Sequence, residues 1–258
     1  MILDIIRPSS SSISILGSDS VQNVRDRIGY LPEEKGLYKK MKAWSVIAYL
    51  ATLKGLSRSD AKRRAMDLMK QHGLGQFTHA RTEALSKGMA QKVQVLASVA
   101  HDPELIILDE PFSGLDPVNQ GVLEELVLEL KARGRTVIFS THVMQHAERL
   151  CDALVVMARG RKCFDGSVAE VRRLLPAKIH LGSSSDLSPL RTLPEVTALN
   201  AIGSDQWEVE LQADADPQLV LAACFALNLP LRSFHAAQPS LHDIFVHLVG
   251  SDARIAGR

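Results

Sequence analysis

Two acidic side chains, Asp109 and Glu110, stand together after the aliphatic run Leu105-Ile106-Ile107-Leu108 and before Pro111. Such a run is the pattern of a strand buried on both faces, and a parallel sheet places its ligand sites at the carboxyl ends of its strands. Asp109 at that end can hold Mg2+, directly or through water, because this ion takes hard oxygen ligands and keeps several waters. Glu110 can polarise a water for attack on a γ-phosphate. A core strand that merely ends in a polar turn would look the same if it stood alone. It does not stand alone. Ser113-Gly114-Leu115-Asp116-Pro117 follows directly, Ser140-Thr141-His142 closes the next aliphatic run, and Leu85-Ser86-Lys87-Gly88-Met89 lies upstream where a helical pattern starts. A helix start carrying serine and glycine offers amide N–H groups and a hydroxyl to an anion.

The elements that must position these residues follow from periodicity. Strands are expected at Ile28–Leu31, Glu104–Leu108, Arg135–Ser140 and Ala153–Met157, with a turn at Arg159-Gly160. A weaker strand is expected at Ile13–Leu16. The pattern is helical over Ala43–Leu74 with a break at Gly55 and a cap at Ser59-Asp60, then over Ala90–Ala100, Pro117–Arg133 and Met144–Leu150. The opening, Met1 to Arg7 before Pro8, reads as the last turns of a helix, and Glu33, Glu34 and Lys35 as a charged loop. Strands alternating with helices predict a parallel sheet packed between helices. Around Pro176 the character changes. Short strands are expected at Lys178–Leu181, Val196–Ile202, Trp207–Leu211 and Leu231–Phe234, and helices at Pro217–Leu227 and Leu241–Val249, giving a small α+β domain.

Composition narrows the function classes. With 30 basic and 29 acidic residues the net charge is +1, so nothing in bulk electrostatics favours nucleic acid or an anionic membrane surface. The basic clusters Lys39, Lys40, Lys42 and Arg58, Lys62, Arg63, Arg64 read as solvated faces. Three cysteines without ligand spacing read as reduced thiols of a cytosolic protein. No apolar stretch reaches the ~18 residues of a membrane span, and no signal-peptide pattern opens the chain, so membrane association is expected through a partner. His142, His146, His242 and His247 lack the further ligands of a metal site, and Trp44 and Trp207 read as packing residues.

Taken together, these motifs resemble the ABC ATPase family over about Ile2–Leu175. Leu105–Glu110 matches its Walker B strand, Ser113–Asp116 its D-loop, and His142 its switch histidine. The signature, usually LSGGQ, is matched by Leu85–Met89 as LSKGM, with Ser86 and Gly88 kept. The Q-loop aligns with Tyr30-Leu31-Pro32-Glu33, with Glu33 where the family has glutamine. The resemblance implies ATP and Mg2+ as cofactors, Asp109 at the metal, Glu110 as catalytic base with His142, and Glu33 and Asp116 among the nucleotide-site residues. It also implies a head-to-tail dimer in which Ser86 and Gly88 contact the γ-phosphate held by the opposite nucleotide-binding subunit. Gly29–Met41 and Pro239–Phe245 resemble exporter-type subunits with a C-terminal accessory domain.

The expected fold class is α/β, a P-loop-NTPase-like parallel sheet with a helical subdomain at about 33–100, plus a small C-terminal α+β domain. The division is an ATPase domain over 1–175 and an accessory domain over 176–258. The implied function is the ATP-hydrolysing subunit of an ABC transporter, with no nucleic-acid partner, docked on a transmembrane permease at the cytoplasmic face of the membrane. A non-transport ABC ATPase is a different reading. It is disfavoured because the span from Glu33 to Leu85 is too short for a coiled-coil insertion.

One family motif has no counterpart. No G-x-x-x-x-G-K-[ST] phosphate loop occurs in the 258 residues, and the adenine-stacking aromatic that precedes it in the family also has no place. The strand leading into that loop is interior to the family's sheet, so two unpaired strand edges are expected. The 258 residues alone are expected to hydrolyse little or no ATP. Either they belong to a complete ATPase that carries the loop elsewhere, or they are a shortened pseudo-ATPase with a regulatory role.

Overall fold

The structure, a computed structural model, describes residues 2–6, 8–10, 12–33, 36–212 and 215–255. It divides into two compact units, Met1–Val143 and Met144–Arg258.

The first unit is built on a three-stranded parallel sheet of β1 (Ile28–Leu31), β2 (Leu105–Asp109) and β3 (Thr136–Ser140), in the order β1-β2-β3. The register runs from Ile28 opposite Leu105 and Leu105 opposite Thr136 up to Asp109 opposite Ser140. The central strand is the most apolar, with Ile106 and Leu108 buried. Among the described residues β3 pairs with β2 alone, and its Ile138 is exposed.

Helices α1 (Ala43–Leu53) and α2 (Arg58–Gln71) are separated at Gly55, whose φ of +99° lies where a side chain is disfavoured. The cap of α2 is Ser57, two residues before the expected position, and it accepts from the Asp60 N–H. Helix α3 (Lys87–Val99) packs so closely on β1 that a Cβ on Gly29 would meet the Ser98 carbonyl oxygen at 2.3 Å. Helix α4 (Pro117–Ala132) starts with proline in its first turn, behind an Asp116 cap.

The second unit contains α5 (Met144–Leu150), β4 (Ala153–Ala158), β5 (Arg161–Ser167) and α6 (Val168–Arg172). Among the described residues β4 joins no parallel sheet. It pairs antiparallel with β5, a strand not expected from the sequence. Arg159 and Gly160 both have positive φ, 51° and 75°, the geometry of a tight hairpin turn that matches strand twist. Then come β6 (Lys178–Gly182), β7 (Val196–Ala201), β8 (Gln206–Leu211), α7 (Pro217–Ala226), β9 (Ser233–Ala237) and α8 (Leu241–Ile255). The four strands form one antiparallel sheet in the order β7-β8-β6-β9. Ile179, Leu181, Val209 and Leu211 from the sheet bury against Val220 and Cys224 of α7. Burial raises the Cys224 thiol above its ordinary range.

Two local expectations fail. Residues 2–6 are turns and bends, with Asp4 at φ 58°, and Met1 and Arg7 lie outside the described residues. So short a run cannot offset the entropic cost of nucleating a helix. The strand expected at Ile13–Leu16 reduces to a single bridge, Ile15 to Ser18, because Leu16 and Gly17 turn the chain back at φ 51° and 78°. Glu34 and Lys35 of the expected charged loop lie outside the described residues.

Candidate functional site

The carboxyl ends of the three parallel strands bring one cluster together. Because Asp109 and Ser140 are partners in register, the Ser140 hydroxyl donates to Asp109 Oδ1, while Ser140 Oγ accepts from the Glu110 N–H at 3.0 Å. Glu110 has φ of +44°, unusual for a residue that is not glycine and is followed by proline. That turn carries its carboxylate off the strand axis to His142, whose Nδ1 lies 2.8 Å from Glu110 Oε1. The His142 side chain is 78% exposed and that of Glu110 only 18%. The arrangement is a shielded carboxylate oriented by an imidazole that can face solvent. Glu33 follows β1 at the same end of the sheet and is exposed.

A second cluster forms where the first turns of α3 and α4 meet. Ser86 caps α3, its hydroxyl accepting from the Met89 N–H at 3.2 Å. Asp116 caps α4, with Oδ1 accepting from the Asn119 N–H at 3.0 Å and Oδ2 from the Asn119 side chain at 2.5 Å. These bonds, the backbone one foremost, hold the Asp116 carboxyl below the usual carboxylate range. Lys92, lowered chiefly by burial, donates to Asn119 at 3.2 Å.

Gly88 faces this junction. A Cβ there would sit 3.5 Å from Leu115 and 3.6 Å from Asn119, ordinary contact distances, so packing within the unit does not require glycine. Gly114 is different, with φ of +73° and the Lys87 side chain 2.6 Å from where a Cβ would stand. The lysine that departs from the signature pattern thus covers the D-loop glycine.

The structure therefore unites Asp109, Glu110 and His142 through Ser140, and places Ser86, Gly88 and Asp116 in a separate cluster. Sequence reasoning assigns Ser140 no role of its own. Its place at the end of the strand preceding His142 is the available signal, but its bridging depends on register.

A parallel sheet flanked by helices, followed by an α+β unit, is the expected α/β class, and the comparisons make it specific. Residues 1–113 match the ABC transporter family, and residues 166–249 match the ATP-binding protein DrrA1-3-like C-terminal domain. The uncharacterized ABC transporter ATP-binding protein YhaQ of Bacillus subtilis (strain 168) is 37% identical over 258 residues, covering 97% of this chain and 84% of YhaQ. The structure of an ATP-binding subunit of an ABC transporter matches at TM-score 0.61 and 34% identity, over 67% of this chain and 73% of that one. That of cbiO1 from Clostridium perfringens, part of the ABC transporter complex cbiONQ, matches at TM-score 0.57 and 26% identity, over 66% and 71%. The chain belongs to the ABC transporter ATP-binding protein family.

That family implies a bound nucleotide and a metal ion. The residues at the sheet end fit a hard cation, since Asp109 and Glu110 offer oxygens only. Among the described residues no group of three or more His, Cys, Asp or Glu could hold a metal by protein ligands alone. A cation here would complete its shell with phosphate oxygens and water, the habit of Mg2+.

Proposed function

We propose that this chain is the ATP-hydrolysing subunit of an exporter and drives a separate transmembrane permease. The observation that carries the reading is the Glu110–His142 pair at 2.8 Å, standing at the end of the central strand beside Asp109. In this reading Glu110 takes the proton of the attacking water, and His142 fixes the carboxylate and lies where a γ-phosphate would approach. Asp109, oriented by the Ser140 hydroxyl, would hold Mg2+, which supplies charge neutralisation at the phosphates when bound. Glu33 would approach the same ion.

Ser86 and Gly88 would serve the nucleotide of the second subunit. The room at Gly88 supports this, because its lack of a side chain answers to no neighbour within the unit. Asp116 would shape the same junction through its cap on α4. We read residues 1–175 as the ATPase domain, with a helical subdomain at about 33–100 that meets the permease through about 33–74, and 176–258 as the accessory domain. No helix among the described residues is long and apolar enough to cross a membrane, so a transport role for these elements would run through a permease docked at the cytoplasmic face. Export is supported by the exporter-like stretch Gly29–Met41.

No phosphate loop occurs in these 258 residues, so the cradle for ATP has to be supplied by other residues. The 258-residue chain alone is expected to turn over little ATP, and measurable turnover by it would contradict this part of the reading. The function itself is tested by affinity purification from the native cells. Recovery with a polytopic membrane protein and ATP hydrolysis in the recovered complex is the expected result. Retention on nucleic acid at moderate salt, without a membrane partner, would favour a non-transport ATPase instead.

A further inference from the structure

Glu110 is held in a conformation that its chemistry does not favour. Its φ is +44°, and the residue after it is Pro111, which disfavours compact conformations at the residue before it. Two hydrogen bonds from its backbone tie this residue down. Its N–H reaches Ser140 on β3 at 3.0 Å, and its carbonyl accepts from the Ser113 N–H at 3.1 Å, closing a turn over Pro111 and Phe112. A third restraint comes from a different element. Gln91, on the second turn of α3, donates from Nε2 to the Pro111 carbonyl at 3.0 Å. Only the amide nitrogen can face a carbonyl, so the orientation of this side chain is fixed by its partner.

Gln91 is only 3% exposed, and its Oε1 has no hydrogen-bond partner among the described residues. A buried amide with one half unsatisfied destabilises a fold relative to an apolar side chain of similar shape. Val95, one turn further along the same face, is apolar and fully buried, while Lys92 and Gln94 beside it are polar and buried as well. Packing alone would be served better by leucine or methionine. What the amide provides is a clamp from the helix that begins at Ser86 onto the turn that aims Glu110.

We infer that Gln91 is a positioning residue for hydrolysis, holding the Glu110–Pro111 turn from α3 so that the Glu110 carboxylate stays aligned with His142. The inference rests on the reading of Glu110 as base given above. It also ties the two clusters of the site together. The helix that presents Ser86 and Gly88 is hydrogen-bonded, a turn further along, to the peptide that orients Glu110.

The test uses Gln91→Leu and Gln91→Met, both of which keep the volume and remove the donor. In the full chain, amide hydrogen exchange at Glu110 is followed together with the melting temperature. In the complex recovered with its permease, kcat and KM for ATP are measured. The expected result is a melting temperature close to the parent's, because losing the unsatisfied Gln91 Oε1 offsets the loss of the donor to the Pro111 carbonyl, and exchange at Glu110 at least about tenfold faster. With these, kcat should fall about tenfold or more while KM stays within about twofold, as when an interaction made only in the transition state is removed. Unchanged exchange at Glu110, or a lowered melting temperature with kcat and KM worsening together, would make Gln91 a packing residue and overturn the inference. A parent complex that hydrolyses no ATP would overturn the proposed function, while exchange at Glu110 would still decide whether Gln91 holds the turn.

Discussion

The two sheets of this protein handle polar groups in opposite ways. The four-stranded sheet of the second unit pairs them with each other. Lys178 on β6 bonds Glu208 at 2.8 Å and Glu210 at 3.1 Å on the neighbouring β8, and the Glu208 bond foremost raises the Lys178 amine above its ordinary range. The three-stranded sheet of the first unit instead concentrates acid, hydroxyl and imidazole at one end, on a backbone turned to positive φ at Glu110. One sheet is arranged for stability, and the other keeps local strain at the residues to which the proposed function assigns the chemistry. Changes in the first unit's strand-end cluster should therefore alter turnover at little cost in folding, and changes in the second unit's sheet the reverse.

The sharpest test of that contrast is Glu110→Gln in a complete, permease-bound protein. Hydrolysis should fall by about 10²–10⁴-fold with ATP binding retained, the range for loss of a general base. Undiminished turnover would remove Glu110 from that role. Next comes Ile179→Ala in the fully buried core of the second sheet, expected to cost about 2–5 kcal/mol by chemical denaturation. If ATP turnover per folded molecule fell with it, the two sheets would not be functionally separate.

A third prediction concerns pH. His101, between α3 and β2, is pushed down to about 4 by burial first and by nearby Lys54 second. It stays neutral in the fold, while an unfolded histidine takes a proton near 6.5. Stability of the first unit should thus decline as pH falls from 6.5 towards 4 and level off below that. His101→Gln should flatten this slope in acid titrations followed by circular dichroism. Lys178 carries the opposite sign, since its contribution is intact below pH 10.5 and lost only as pH rises past its elevated folded value. The smallest expected effect is Ser86→Ala, which removes the cap of α3 and should cost about 1 kcal/mol. A loss of turnover much larger than that cost would indicate that the hydroxyl also meets nucleotide.

Much of this contrast is legible in the sequence. The aliphatic run before Asp109 reads as a buried strand, Pro117 behind Asp116 marks the start of α4, and Gly55 marks the break between α1 and α2. The short strands after Pro176 fall within two or three residues of their observed ends. What the sequence does not reveal depends on contacts across the fold. Arg161–Ser167 lacks apolar alternation, so β5 is visible only through the turn at Arg159-Gly160. The cap of α2 falls at Ser57 rather than at Ser59-Asp60, a shift decided by where the backbone enters the helix. The Ser140 bridge requires the register of β2 on β3, and the Gln91 clamp requires the approach of α3. Both are tertiary facts that no local pattern encodes.

That approach is governed by Gly29, where a single hydrogen stands in place of a methyl group against the Ser98 carbonyl. Helix α3 is thirteen residues long, a rod of roughly 20 Å at 1.5 Å per residue, with Ser98 at one end and Ser86 at the other. Gly29 therefore acts as a machinist's shim. A displacement of a few tenths of an ångström at this seat would tilt the whole rod and shift Gln91 and Ser86 together, far from any atom that had been changed.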